Sequence, residues 1–196
     1  MRNPELTRLT ILEKSSILFN TQGYKATSLS DICKASKLTK GAIYKNFKDK
    51  SELEKEALLF MSTKLLTDVA DRISEAPDAE NKLYAILKYF ENYHACPPFE
   101  GGCPLMNASI EADDSNAELK SVVKHVMNLM HEHLCRVIRN GIKHGQVKED
   151  TDISGLSSII ISSLEGSVMM LKVMDTNKHM MATSKFLKSE IARNLI

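Results

Sequence analysis

The residues best placed to do chemistry crowd into one short stretch, SLSDICKASKLTKGAIYKNFKDKSEL, positions 28–53. Thr27 and Ser28 stand at one helix start, Thr39, Lys40 and Gly41 at the next, and Lys50 at a third. Hydroxyls, ammonium groups and free backbone N–H groups at helix starts are the donors that hold phosphate oxygens. Gly41 lets the backbone come close to such a partner. Tyr44, one turn after Lys40 on the same face, carries a phenol able to reach a phosphate or pack on a sugar. Elsewhere, HEHLC places His131 and Cys135 on one helix face and His133 on another. Two ligands do not make a metal site, so a solvated histidine-rich face is expected, and neither a metal nor a cofactor. No Ser/His/Asp order, phosphate loop or carboxylate pair is found, which leaves Cys103 as the single foothold for catalysis. The competing reading to a binding protein is thus a helical thiol-reactive enzyme or adaptor centred on Cys103.

Charge supports the first reading. The 196-residue chain has a net charge of +1, yet residues 1–50 carry +6 and the remainder −5. A basic segment on an acidic body points to a local polyanion contact, though basic side chains also solvate helix faces. Only 8 Gly and 5 Pro among long periodic segments predict an all-helical chain of about nine helices. The first ends before Gly23, a residue suited to the left-handed closing position. Ser28 with Asp31 predicts a capping box for the second, and Thr39 caps a short third helix through Phe47. Asp49 with Glu52 opens a long fourth helix from Lys50 to Glu75. A fifth starts at Pro77 and Asp78 and runs to His94. After the break ACPPFEGGCP come a short helix from Leu105 to Asp113 and a long one capped by Ser115 with Glu118, ending at Gly145. Two more span about 152–174 and 178–195. The expected division is a small basic domain over residues 1–50 and a larger helical domain over 51–196.

The two short helices joined by a three-residue turn fit a helix-turn-helix, whose second helix enters the DNA major groove. At this level of detail the segment from about Ile11 to Ala57 closely resembles the DNA-binding part of the tetracycline-repressor (TetR) family. Phe19, Gly23-Tyr24, Thr27, the run Thr39-Lys40-Gly41-Ala42-Ile43-Tyr44, and Phe47, Lys50 and Leu53 carry the likeness. The resemblance implies a cytoplasmic, all-helical homodimer that binds a double-stranded DNA operator. It also implies a divergent carboxy-terminal domain that binds a small-molecule effector. One departure is Asn46, where many relatives have His or Tyr; Asn can donate to a phosphate or read adenine bidentately. Lys45 is the expected base reader, toward guanine, and Lys37 lies in the turn within reach of backbone or base edge.

In residues 51–196, read as the DNA-binding domain's regulatory partner, the resemblance implies a dimer seam on the last two helices, where Ser157, Ser158, Ser162 and Ser163 permit close helix approach or suit an internal core. A pocket among the helices of 79–174 would be lined by Phe90, Tyr93, Phe99, Met106, Met127, Met130 and Met169. A methionine stripe at helical spacing equally suits plain core. Asn107 and Glu111, four apart, could orient a polar ligand group or bond a neighbouring helix. Some members of the resembled family carry a Gly-Cys-Pro-Leu segment and a Gly six residues before a Lys, here Gly102 to Leu105 and Gly166 with Lys172, and in certain of them the cysteine senses electrophiles or oxidants. A thiol at a helix start near Lys172 would react as thiolate, with Cys96 as resolving partner, whereas a buried Cys103 would simply close a turn. The amino terminus lacks the apolar core of a secretory signal. No long uncharged apolar run is expected, since Glu165, Gly166 and Lys172 interrupt the greasiest stretch, so no membrane partner is expected. The four irregularly spaced cysteines suit a reducing compartment.

Overall fold

A computed structural model describes residues 4–112 and 116–196. These residues form nine α-helices: α1 Pro4–Gln22, α2 Leu29–Ser36, α3 Lys40–Tyr44, α4 Lys50–Ser74, α5 Ala79–Glu91, α6 Pro104–Ala112, α7 Ala117–Lys143, α8 Ile153–Met174 and α9 Lys178–Arg193. The all-helical expectation holds, and the starts follow the caps. Ser28 accepts from Asp31 N while the Asp31 carboxylate accepts from Ser28 N, the reciprocal box the sequence predicts. Thr39 Oγ1 accepts from Ala42 N, Asp49 Oδ1 from Glu52 N, and Asp78 and Asp152 cap α5 and α8. The expected Ser115 cap and the end of α6 at Asp113 lie outside the described residues. At the start of α7, Asn116 Oδ1 accepts from Leu119 N at 3.0 Å, while Glu118 turns to Ser51 and Lys55 instead. The third helix closes at Tyr44, three residues earlier than expected, and the chain turns through Asn46 and Phe47.

The helices gather into two compact units. Within the described residues, unit 1 takes the chain up to Lys64 together with Phe99–Val126, and unit 2 comprises Leu65–Pro98 and Met127–Ile196. The expected division after residue 50 falls inside unit 1. The reason is packing: α1 to α3 alone cannot enclose their apolar side chains. Ile11, Phe19, Ile32, Ile43 and Phe47 are at most 1% exposed, and so are Leu53, Ala57 and Leu58 from the first turns of α4. Burying each large side chain of this set is worth about 2 kcal/mol. Both α4 and α7 contribute residues to both units.

Unit 1 is closed on one side by polar contacts between α6 and the end of α1. Asn20 Nδ2 donates to the carbonyls of Glu100 at 2.6 Å and Gly102 at 3.0 Å. Asn107 Nδ2 donates to Asn20 Oδ1 and Gly101 O, both at 3.0 Å. The Glu111 carboxylate accepts from Tyr24 N and Lys25 N, each at 3.0 Å, in the turn that follows Gly23. Asn107 and Glu111 therefore bond a neighbouring helix, the second of the two roles their spacing allowed.

Unit 2 packs α5, α8 and α9 against one another and buries Leu87, Ile160, Val168, Met180 and Leu187. Glu91 on α5 accepts from Lys188 Nζ at 2.7 Å and from Ser184 Oγ on α9. Ser167 on α8 donates to Thr183 on α9 at 2.7 Å. By length and composition α8 is apolar enough to cross a membrane, contrary to the expectation that charges would interrupt any such run. It buries Leu156, Ser157, Ile160 and Leu164 while Ser158 and Ser162 are exposed, the two-faced pattern of a bundle helix.

Gly101 has φ +95°, and a Cβ there would lie 2.3 Å from the Asn20 carbonyl oxygen. Gly101→Ala is expected to destabilise the fold by about 2 kcal/mol or more through strain and lost closure of α6 on α1. A lower urea midpoint followed by circular dichroism checks this; an unchanged midpoint would mean the loop relaxes freely.

Candidate nucleic-acid interface

The expected contact residues separate into a presented set and a structural set. Lys37, Thr39, Lys40, Gly41 and Lys45 are exposed, as is Tyr44 at 51%. They lie on the turn between α2 and α3 and on α3 itself. Ile32, Ile43 and Phe47 pin this element from beneath, at 0%, 1% and 1% exposure. Lys37 closes α2 in the left-handed conformation, φ 57°, and its N–H bonds Cys33 O, so its side chain leaves the turn at a fixed angle. Thr39 presents a hydroxyl that already caps α3, and the exposed Ser28 hydroxyl is engaged with Asp31. Together the presented groups form a cationic strip of three lysines with a phenol, on helix ends whose positions are set by caps.

Three of the expected contacts have other work. Thr27 is fully buried, and its hydroxyl donates to Gly23 O at 2.7 Å, locking the turn after α1. Lys50 reaches inward: Nζ donates to Tyr24 O at 2.6 Å and pairs with Glu54 Oε1 at 3.1 Å. It is a strut between α4 and the α1–α2 turn. Asn46 commits an amide hydrogen to Ala42 O at 2.8 Å, closing α3, so the bidentate adenine contact is not free in this arrangement. The buried signals were faint in sequence, because a threonine or lysine at a helix start reads the same whether it faces out or in. Asn20, which sequence reasoning missed, is 5% exposed; its one legible sign was a polar residue on the apolar stripe of α1.

The effector residues scatter. An apolar cavity of about 80 Å³ lies within unit 2, and of the expected lining it includes Phe90 and Met130. Leu65, Ile86 and Ile160 add aliphatic wall, with His133 and Glu165 as its polar members. Tyr93 is buried beside Phe90, ring centroids 5.8 Å apart, as core. Met127 and Met169 are corrected to exposed positions, at 45% and 50%. Phe99, Met106 and Asn107 belong to unit 1, where Phe99 sits under Lys64 Nζ and Asn107 bonds α1. Cys103 is 1% exposed, the turn-closing placement, and lies in unit 1, whereas Cys96 and the exposed Lys172 lie in unit 2. His131 and Cys135 do share a face, Sγ to Nδ1 3.6 Å, and Cys135 Sγ meets Ser157 Oγ at 3.3 Å. No cluster of three metal-ligating side chains forms among the described residues.

Residues 11–57 match the family model described as bacterial regulatory proteins, tetR family, and residues 79–187 match the tetracyclin repressor-like C-terminal domain. The chain belongs to the TetR family. A TetR transcriptional regulator from Chloroflexus aurantiacus shares the fold at a TM-score of 0.94 with 30% identity, over 100% of this chain and 98% of that one. The HTH-type transcriptional regulator YhgD of Bacillus subtilis (strain 168) is 30% identical over 151 residues, 70% of each chain. A cysteine-substituted form of the TetR-family regulator CifR, in complex with 26 bp double-strand operator DNA, shares the fold at a TM-score of 0.83 and 19% identity, over 92% of this chain and 94% of that one.

This TetR-family chain is therefore a transcriptional regulator with an amino-terminal DNA-binding unit, and the family's members are regulators, not enzymes. Within unit 1 the buried Tyr24 ring stacks on Phe19 with centroids 5.0 Å apart. The Tyr24 hydroxyl is buried without a hydrogen-bond partner among the described residues. Burial, then the nearby Glu111 and Glu54 carboxylates, push its pKa well above the ordinary 10.0. The unfolded phenol loses its proton first, so stability is full below about pH 10 and falls as pH rises above it. Tyr24→Phe, which removes an unsatisfied buried hydroxyl, is expected to be neutral or stabilising at pH 7 and to flatten the alkaline loss. Urea midpoints at pH 7 and pH 11 check both halves.

Proposed function

We propose that this TetR-family regulator is a cytoplasmic repressor that binds a pseudo-palindromic operator as a homodimer and is released by a small apolar effector. The observation that carries the reading is the exposed strip of Lys37, Lys40, Tyr44 and Lys45, rigidly mounted on capped helices above a closed apolar core. Lysines on helix ends suit the phosphates that line a major groove, and the groove is wide enough for one helix. Two such elements related by a two-fold axis would read half-sites about 34–36 Å apart. The CifR complex with operator DNA supports the same use of the fold.

Support for the dimer comes from α8 and α9, which carry exposed apolar side chains: Ile159 and Met169 on α8, Met181 and Phe186 on α9. Support for an apolar effector comes from the aliphatic cavity of unit 2. At about 80 Å³ it is smaller than the roughly 150 Å³ that holds benzene, so a larger effector must spread its walls. Burial of Cys103 favours release by a bound molecule over release by thiol modification. The same burial weakens the competing thiol-enzyme reading, which needs an accessible thiolate.

Fluorescence anisotropy on the DNA upstream of the chain's own gene tests the main reading. Lys45→Ala is expected to weaken binding about tenfold and to lower the slope of log affinity against log salt by about 0.9. Thr27→Val should cost stability and leave that slope alone; an unchanged slope in Lys45→Ala removes it from the interface. For assembly, Phe186→Asp is expected to raise the dimer dissociation constant at least about tenfold by placing a charge on an apolar seam. Sedimentation velocity reads this directly, and a variant that still sediments as the wild type rules out α9 as the seam.

A further inference from the structure

Unit 2 holds a second pocket, of about 440 Å³, with a mixed lining in which Ile73, Pro77 and Val137 accompany several polar and basic groups. It opens where the start of α5 meets the end of α7 and is lined by Lys82, Arg136, Asn140, His144 and Gln146. Arg136, Asn140 and His144 recur every four residues, so they form one stripe along α7 and its last turn. Lys82 stands across from them in the first turn of α5. Gly141 forms the floor: a Cβ there would come within 2.6 Å of Val147 Cγ2 and 2.7 Å of the Ala79 methyl. The absent side chain brings the two walls together. Gln146 Oε1 accepts from Ala79 N at 3.0 Å, which orients the Gln146 amide and leaves its Nε2 donors unused.

Among the described residues the basic groups of this pocket, Lys82, Arg136 and His144, are held in no ion pair. On the same helix, by contrast, Arg139 faces away and pairs with Glu132 at 3.3 Å. One carboxylate, Asp78, also lines the pocket and is engaged as the cap of α5. It accepts from Asn81 N at 2.8 Å and from Asn81 Nδ2 at 2.9 Å, bonds that hold its pKa below the ordinary carboxylate value, with the Lys82 charge adding to the effect from beyond ion-pair distance. We propose that this pocket binds a small oxyanion, a phosphate or carboxylate group, held by the Arg136 guanidinium and the Lys82 ammonium with Asn140, His144 and Gln146 as further donors. A planar guanidinium offers paired N–H groups to two oxygens of one anion, and a facing ammonium adds a point charge. An apolar effector does not suit this lining. The site meets the apolar cavity at Ile73, which lines both, but its polar residues are its own and the proposal does not depend on the DNA-binding reading.

Isothermal titration of the full chain with inorganic phosphate, and separately with succinate, tests it at constant ionic strength made up with chloride. Saturable binding of one anion per chain is expected, and Arg136→Gln and Lys82→Gln should each raise the dissociation constant about tenfold. Arg139→Gln, which carries the same charge change outside the pocket, should leave it unaltered. Tighter phosphate binding assigns a phosphorylated ligand, and tighter succinate binding a carboxylate one. Heats that never saturate for either anion overturn the proposal. So does saturable binding that survives both pocket variants, or that falls equally in Arg139→Gln. Far-UV circular dichroism confirms that each variant is folded, and two variants on separate helices keep the outcome from resting on one.

Discussion

A chain that turns sharply at two places close in space must satisfy the backbone groups exposed at both, and unit 1 is organised around that demand. The end of α1 and the Gly101-Gly102 turn meet, and Asn20, Asn107 and Glu111 supply the partners. Glu111 is the strongest member, since a carboxylate accepting from two backbone N–H groups makes charge-assisted bonds worth about 1.5–3 kcal/mol each. Those two N–H groups belong to Tyr24 and Lys25, within the turn that Thr27 locks and just before the cap that Ser28 begins. From there the order runs to α2, to the Lys37 turn and to α3. The position of the presented lysines is thus traceable to a few polar contacts that touch no ligand.

The same contacts explain why a division at residue 50 does not describe the packing. A helix-turn-helix of three short helices has a small interior, and here α4, α6 and the beginning of α7 complete it. Polar residues that look available in a list of side chains are consumed in this closure. Lys50, Asn107 and Glu111 all serve backbone groups. Unit 2 differs, with one small aliphatic cavity and one mixed pocket whose basic groups form no ion pair among the described residues.

Much of the fold was legible because helix starts announce themselves. Ser28 with Asp31, Thr39, and Asp49 with Glu52 cap where their spacing placed them, and Asp78 caps the helix it was expected to begin, since capping is a local interaction between residues two or three apart. The exposed strip on α3 was legible for the same reason. Direction within a helix turn was harder to read. Thr27 and Lys50 have the composition of phosphate ligands, yet neighbours 9 and 26 residues away turn them inward. The effector lining failed more widely. Met127 and Met169 have the spacing of core residues but face outward, and Phe99, Met106 and Asn107 belong to the other unit. Such choices are made by tertiary packing, which periodicity reports only as an average over a face.

Lys37 holds a left-handed backbone that glycine would adopt without strain, at a cost of about 1 kcal/mol for a residue with a Cβ. At this one position, thermal robustness and the surface the protein displays pull in opposite directions. A search for sturdier variants would be drawn to glycine there and would erase a cation from the rim of α3. A stability screen run blind to binding would therefore select a quieter protein.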